Sequence, residues 1–241
     1  MGTIKERVAT VGDDIEAGDG AWTFGGNTPK TFNDHVRKSV PYYLDGHDLT
    51  LALSNYFVQP GSVGYEVGSS TGALTRKLAE RYPRTDWVGL DVAKEMVDEA
   101  RRSSTGHDNL TFAHASAAEF DFEPTDFIVS YYTMQFIRPR ERQQFVDRIY
   151  NALNWGGAFI VFEKVRAPDA RFQDMMSGIY VDYKLEQGYS ASEILGKTKS
   201  LKGVLEPFST QGNLDLFKRA GFVDVMSIFK YVCFEGFLCV K

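Results

Sequence analysis

Glu66 and Asp91 each close an apolar, β-prone segment, Val63-Gly-Tyr-Glu-Val67 and Asp86-Trp-Val-Gly-Leu90. Between them runs Glu66-x-Gly68-x-x-x-Gly72, a glycine turn that opens into an amphipathic stretch from Ala73 to Tyr82. A strand, a glycine turn, a helix and a second strand ending in an acid form the layout of a nucleoside-binding βαβ unit. The glycines let a ligand approach the backbone, and the acid accepts hydrogen bonds from a ribose diol. A pyrophosphate-binding turn is written G-x-G-x-x-G and presents a helix N-terminus to phosphate. The turn here is looser and follows an acid, which repels phosphate and suits a cationic group such as an amino-acid ammonium. An unliganded turn also uses glycines for backbone reasons alone; Asp91 at the end of the next strand favours the nucleoside.

A parallel sheet has to position these groups. The pattern predicts strands at 63–67, 86–90, 110–114, 126–131 and 158–164, with helices at 72–82, 93–102 and 139–153. Strands alternating with helices imply a parallel sheet covered on both faces. Residues 1–20, polar and glycine-rich, read as a poorly ordered arm or helix, and 21–60 as two lid helices, Asn33 to Tyr43 and His47 to Phe57. The binding core is expected over 61–165. Residues 166–206, with Met175, Met176, Tyr180, Tyr183 and Tyr189, read as a helical cap over the substrate. Residues 207–241 complete the core with a helix, Gly212 to Ala220, and an antiparallel hairpin, Phe222 to Ile228 with Tyr231 to Val240.

Bulk properties narrow the class. A 241-residue chain that is 43% hydrophobic buries one sizeable core. A net charge of −5 and scattered basic residues argue against a nucleic-acid footprint. Cys233 and Cys239 read as reduced core thiols. The sequence has no leader or membrane-length apolar run, so the expected place is the cytoplasm and the expected partner a small molecule. No metal-ligand cluster is read.

These motifs resemble the class I S-adenosylmethionine (AdoMet) methyltransferases. Besides E-x-G-x-x-x-G and the acid ending the second strand, Asp126-Phe-Ile-Val-Ser-Tyr-Tyr132 matches strand four. Leu153-Asn-Trp-Gly-Gly157 resembles the turn before strand five, with Trp155 where proline is usual. More narrowly, the chain is similar to carboxy-S-adenosylmethionine synthases, relatives that serve tRNA wobble-uridine modification. The matching segments are Trp22-Thr-Phe24, Lys38-Ser-Val-Pro-x-Tyr43, Phe57-Val-Gln-Pro-Gly61, Thr133-x-Gln-Phe136 and Gly188-Tyr-Ser190. The resemblance runs from about residue 20 to the C-terminus. It implies an α/β fold with a seven-stranded Rossmann-like methyltransferase sheet, an antiparallel C-terminal hairpin and helical lid elements. It also implies AdoMet as cofactor and a homodimer.

Carried onto this chain, the resemblance places Glu66 and the turn Gly68, Ser69, Ser70, Thr71 and Gly72 at the methionine end of AdoMet. Asp91 falls at the ribose, and Val92, Met96, Ser116 and Ala117 around the adenine. Tyr131 and Tyr132 fall near the sulfonium, where an aromatic face contributes about 0.5–2 kcal/mol toward a cation, and Tyr43 is read as a further cofactor contact. Strand alternation sends Tyr131 and Tyr132 to opposite faces, and Tyr131 is assigned to the pocket. Tyr43, Tyr131, Glu163 and His35 are the catalytic candidates. Tyr180, Tyr183, Thr198 and Lys199 are the substrate candidates.

Three departures bear on the activity. The family's arginine after Lys197, which holds the extra carboxylate of the modified cofactor, is Thr198, with Lys199 next to it. Its strand-four asparagine is Tyr131, and the acid expected after strand three is Ser116. A bidentate guanidinium is not replaced by threonine or a mobile lysine. The expected function is therefore methyl transfer from plain AdoMet to a small acceptor under the cap. The alternatives are carboxy-AdoMet synthesis with prephenate as carboxylate source, an AdoMet cyclase or lyase releasing methylthioadenosine, and a catalytically silent AdoMet-binding module.

Overall fold

The computed structural model describes residues 8–13, 15–26 and 28–241. Two short strands, β1 (Ala9–Thr10) and β2 (Glu16–Ala17), pair antiparallel near the start. This corrects the expectation of a loose arm or helix for the described part of residues 1–20. Val11, Ile15, Ala17 and Trp22 form a small apolar cluster with Phe24, Leu201 and Val204, so the polar-looking segment has a core of its own. The lid helices begin earlier than expected, α1 at Thr28–Ser39 and α2 at Tyr43–Ser54. Pro29, the second residue of α1, suits the first turn of a helix. Pro41 and the left-handed Tyr42 (φ 56°) separate the pair.

The alternating pattern then appears as β3 (Val63–Val67), α3 (Ala73–Arg81), β4 (Asp86–Asp91), α4 (Lys94–Ser103), β5 (Leu110–His114) and β6 (Thr125–Tyr131). Next come α5 (Pro139–Ala152) and β7 (Leu153–Lys164), whose start runs ahead of the expected strand through a register irregularity against β6. The cap is two helices rather than one followed by a polar run: α6 (Ala170–Glu186) and α7 (Ala191–Ser200). Ser190 caps α7 in a reciprocal capping box with Glu193. The chain closes with α8 (Thr210–Ala220), β8 (Asp224–Tyr231) and β9 (Phe234–Val240).

The sheet runs β5-β4-β3-β6-β7-β9-β8. Its first five strands are parallel, and β9 lies antiparallel between β7 and β8. Both faces are packed, one around Phe145, Phe159, Phe217 and Phe237, the other around Trp87, Phe127 and Phe162. The strand order reverses between β3 and β6. In such sheets, ligands bind outside the carboxyl ends of the strands at that reversal.

Candidate active site

A cavity of about 950 Å³ opens at this reversal. It is lined by the ends of β3, β4, β6 and β7 and roofed by α1, the start of α2, α6 and α7.

Glu66 sits at its floor, 3% exposed, and one carboxyl oxygen accepts from the Thr75 hydroxyl. Burial pushes the carboxyl up to about 8, against the Thr75 hydrogen bonds. No cation among the described residues pairs with it. Asp91 follows on the next strand. One oxygen accepts from the Ser70 backbone N–H at 2.8 Å, the other from the Ala93 N–H at 2.8 Å. Burial raises its carboxyl as well, opposed by those backbone bonds. Ser70 reaches Asp91 because its backbone is left-handed (φ 52°). Thr71 donates to Asn33 at 2.9 Å and so ties the glycine turn to α1.

The glycines serve the protein's own packing as well as any ligand. A Cβ on Gly68 (φ 72°) would stand 2.1 Å from Thr133 Oγ1. Gly72 (φ 74°) turns toward the Phe112 ring and does not line the cavity.

Beside Glu66 stand three tyrosine rings. Tyr131 lies edge to face with Tyr43 at 5.1 Å and with Tyr132 at 4.8 Å. All three line the cavity, which corrects the alternation argument: Tyr132 is left-handed (φ 57°), so the strand has ended and its ring swings to the Tyr131 side. The Tyr131 hydroxyl donates to the Tyr43 carbonyl, and burial pushes both phenols up. They present ring faces rather than ionisable oxygens.

Val92, Met96, Ser116, Ala117, His35, Tyr180 and Thr198 also line the cavity. Glu163, Tyr183 and Lys199 do not. Glu163 is fully buried, faces Arg142 and is pushed far up by burial, so it has no access to a ligand. Thr198 spends its hydroxyl on the Ile194 carbonyl of its own helix at 2.7 Å.

Sequence reasoning missed the cap-side cations. The ammonium groups of Lys164 and Lys184 lie 4.3 and 4.2 Å from the centroid of the same ring, that of Tyr180. Arg138, Arg166, Lys197 and Lys202 line the same space. No carboxylate among the described residues forms an ion pair with any of these six. Burial, then Lys164, lowers Lys184 to about 8. The available signal was Lys184 four residues after Tyr180 on the cap helix, a spacing that puts both on one face.

The residues fit AdoMet. An acid without a cationic partner among the described residues, a second carboxylate and three rings face one space, and the buried Ser69 hydroxyl has no partner among those residues either. Strand order and site together define a class I AdoMet-dependent transferase. A methyltransferase domain family matches residues 65–157. A carboxy-S-adenosyl-L-methionine synthase of Staphylococcus epidermidis is 34% identical over 91% of this chain and 97% of its own. The same enzyme of Campylobacter lari is 37% identical over 90% and 94%. The chain belongs to the carboxy-S-adenosyl-L-methionine synthase family. Solved structures share the fold over part of their length. Haemonchus contortus phosphoethanolamine N-methyltransferase 2 with S-adenosylhomocysteine gives a TM-score of 0.66 at 15% identity, over 91% of this chain and 59% of that one. Human N-acetylserotonin methyltransferase with AdoMet gives 0.56 at 16%, over 88% and 53%. The protein is a transferase, and AdoMet is its cofactor.

Proposed function

We propose that this enzyme combines AdoMet with a second, carboxylate-bearing small molecule in one cavity and forms carboxy-S-adenosylmethionine. The observation that carries this reading is the Lys164–Lys184 pair on Tyr180, facing the space that Glu66 and Asp91 also face. Two cations with aromatic backing and no carboxylate partner among the described residues are expensive to bury unless an anion joins them. They stand in for the guanidinium that Thr198 lacks. This reading displaces methyl transfer from plain AdoMet as the leading expectation.

Glu66 holds the ammonium of AdoMet and gives up its proton on doing so, and Asp91 takes the ribose hydroxyls. Tyr43, Tyr131 and Tyr132 surround the charged sulfur and exclude water. Val92, Met96, Ser116 and Ala117 enclose the base. AdoMet, when bound, supplies a sulfonium that activates its attached carbon substituents. Lys164 and Lys184 orient the carboxylate of the second ligand against that centre, so the protein contributes mainly alignment and charge. Prephenate, which the family resemblance suggests, is the first donor to test.

The site residues leave a second reading: methyl transfer to an anionic acceptor, for which Thr198, its hydroxyl spent within α7, speaks. Mass spectrometry of the ligand retained by the purified protein separates the two. A ligand heavier than AdoMet by one CO2 is the expected result. Plain AdoMet, stable with prephenate and consumed with another anion, would favour methyl transfer. Turnover of AdoMet alone to methylthioadenosine would sink both.

A homodimer is part of the proposal. Phe172, Met175 and Ile179 leave an apolar stripe exposed on α6, whose only buried residue is Lys184. A second copy is its proposed occupant. No helix among the described residues is long and apolar enough to cross a membrane, and both cysteines are free and buried. We assign the protein to the cytoplasm.

A further inference from the structure

Lys197 differs from the other cavity lysines in being wired to the protein. Its Nζ donates to His35 Nε2 and, at 2.8 Å, to Ser39 Oγ. The other ring nitrogen, His35 Nδ1, donates to Asp13 Oδ2 at 2.8 Å. Asp13 is held in turn by the Tyr189 hydroxyl at 2.9 Å and by Lys38 at 2.5 Å. The Trp22 ring stacks on His35 at 5.8 Å and lies 5.3 Å from Lys197 Nζ. His35, Ser39, Trp22 and Lys197 all line the cavity, whereas Asp13 lies behind them in the turn between β1 and β2.

The donor count decides what this arrangement does. A carboxylate only accepts, so Asp13 fixes the proton of a neutral imidazole on Nδ1 and leaves the Nε2 lone pair toward Lys197. Burial, then the charge of Lys197, lowers His35 to about 4, so the ring is neutral at physiological pH. A neutral Lys197 amine has two N–H bonds and one lone pair. The two N–H bonds are taken by His35 and Ser39, and the lone pair is left for the cavity. Burial drives the ammonium form down strongly, with Lys184 and Lys164 adding repulsion and Asp13 opposing it.

We propose that Lys197 is the acid–base residue of this cavity, that His35 and Asp13 position it, and that its partner is a small carbon or oxygen acid. The proposal rests on the AdoMet-dependent reading of the site. In the step, a C–H or O–H bond of the bound small molecule breaks and its electron pair stays on that molecule. The Lys197 lone pair forms the new N–H bond. The resulting ammonium passes a different proton along its hydrogen bond to His35 Nε2; this transfer removes the Lys197 charge that helps to lower His35, and Asp13 holds the transient imidazolium. Asp13, with a side chain 13% exposed beside the more open Lys38, connects the relay to solvent. The charged or titratable groups facing the relay are Lys38 on α1, Asp13 in the β1–β2 turn, Lys164 on β7, Lys184 on α6, Tyr189 before α7, and Glu193 on α7.

The test uses the full chain and the variants D13N, H35N and K197M. Lysine acylation by a small anhydride, mapped by peptide mass spectrometry across pH, reads Lys197 without requiring activity. In the wild type, Lys197 is expected to label at neutral pH, ahead of surface lysines, and bound AdoMet is expected to protect it. D13N frees His35 to take the other tautomer, whose Nε2–H occupies the Lys197 lone pair. Labelling then slows, and kcat falls about a hundredfold, the size of a general acid–base contribution, while KM for AdoMet stays unchanged and the acidic limb of the pH profile moves. Lys197 titrating like a surface lysine, or D13N and H35N retaining the wild-type pH profile, would overturn the relay. Loss of AdoMet binding in the wild type would instead overturn the cofactor reading and leave the labelling result to decide the relay.

Discussion

The Tyr131 hydroxyl donates to the backbone carbonyl of Tyr43 at 2.6 Å. This single bond ties the end of β6 to the first turn of α2, so the lid and the sheet share one aromatic wall. Gly46, one turn further along α2, makes the approach possible, because a Cβ there would stand 2.1 Å from the Tyr131 oxygen.

Opposing effects meet at Gly46. Replacing an interior helical glycine by alanine ordinarily stabilises by about 0.5–1 kcal/mol, whereas forcing an extra carbon into a packed core costs about 1–3 kcal/mol. The contact distance makes the clash win. Gly46→Ala is expected to lower Tm and weaken AdoMet binding together, read by thermal melts and calorimetry. Tyr131→Phe keeps the ring and loses only the latch. Its affinity is expected to fall about threefold to tenfold, from the 0.5–1.5 kcal/mol of a net hydrogen bond. A Tyr131→Phe enzyme that binds as tightly as wild type would show that the latch has no part in the site.

Glu66 gives a pH dependence of defined sign. Its folded-state value, raised to about 8, lies above that of an unfolded carboxyl. The ligand-free protein therefore takes up a proton on folding between about pH 4.5 and 8, and its stability falls as pH rises through that window. With Glu66 in its proposed role, AdoMet binding needs the carboxylate, so affinity is expected to rise with pH until about 8, with one proton released on binding at neutral pH. Calorimetry in buffers of different ionisation enthalpy counts that proton. Glu66→Gln is expected to remove the proton release, flatten the pH dependence of ligand-free stability, and reduce affinity at least tenfold. A wild-type protein that releases no proton would mean that Glu66 is not the ammonium partner.

Much of this was legible in the sequence, for reasons that differ by residue. The core strands and the order of Glu66 and Asp91 along them follow from apolar runs and glycine turns, which are local signals. Tyr132 was misdirected because strand alternation holds only while the backbone is extended, and its left-handed φ is set by contact with β7. Glu163 read as a base at a strand end, but its carboxyl is buried against Arg142 and the Met134–Gln135 backbone, which no signal within the strand reports. The Lys164–Tyr180–Lys184 grouping joins β7 to α6. The Asp13–His35–Lys197 chain joins the β1–β2 turn, α1 and α7. No periodicity within one segment reports such long-range meetings.

Lys184 sets the second pH prediction. Its amine, lowered to about 8, has a folded-state value below that of an unfolded lysine. Folding releases that proton between about pH 8 and 10.5, so the ligand-free protein gains stability as pH rises there. An anion reverses the preference and binds best below pH 8. Carboxylate affinity is thus expected to fall with pH while AdoMet affinity rises, giving a bell-shaped kcat/KM. Lys184→Met and Lys164→Met should each raise KM for the carboxylate donor at least tenfold and leave AdoMet affinity near wild type. If both variants keep the wild-type KM, the anion sits elsewhere in the cavity.

The exposed face of α6 would tie the proposed second copy to the same site. Phe172, Met175 and Ile179 are 49%, 48% and 46% exposed and share one helical face, while Tyr180 and Lys184 reach the cavity. A helix with so little of itself buried depends on whatever covers that face, and a twofold pair would cover both copies at once. The double variant Phe172→Glu with Ile179→Glu is expected to halve the mass seen by light scattering. It should also loosen α6, so KM for the carboxylate donor rises while AdoMet, whose proposed contacts are on β3, β4 and the glycine turn, binds as before. A wild-type protein that is monomeric at micromolar concentration would remove the second copy as occupant. A variant that stays dimeric would place the interface on another surface.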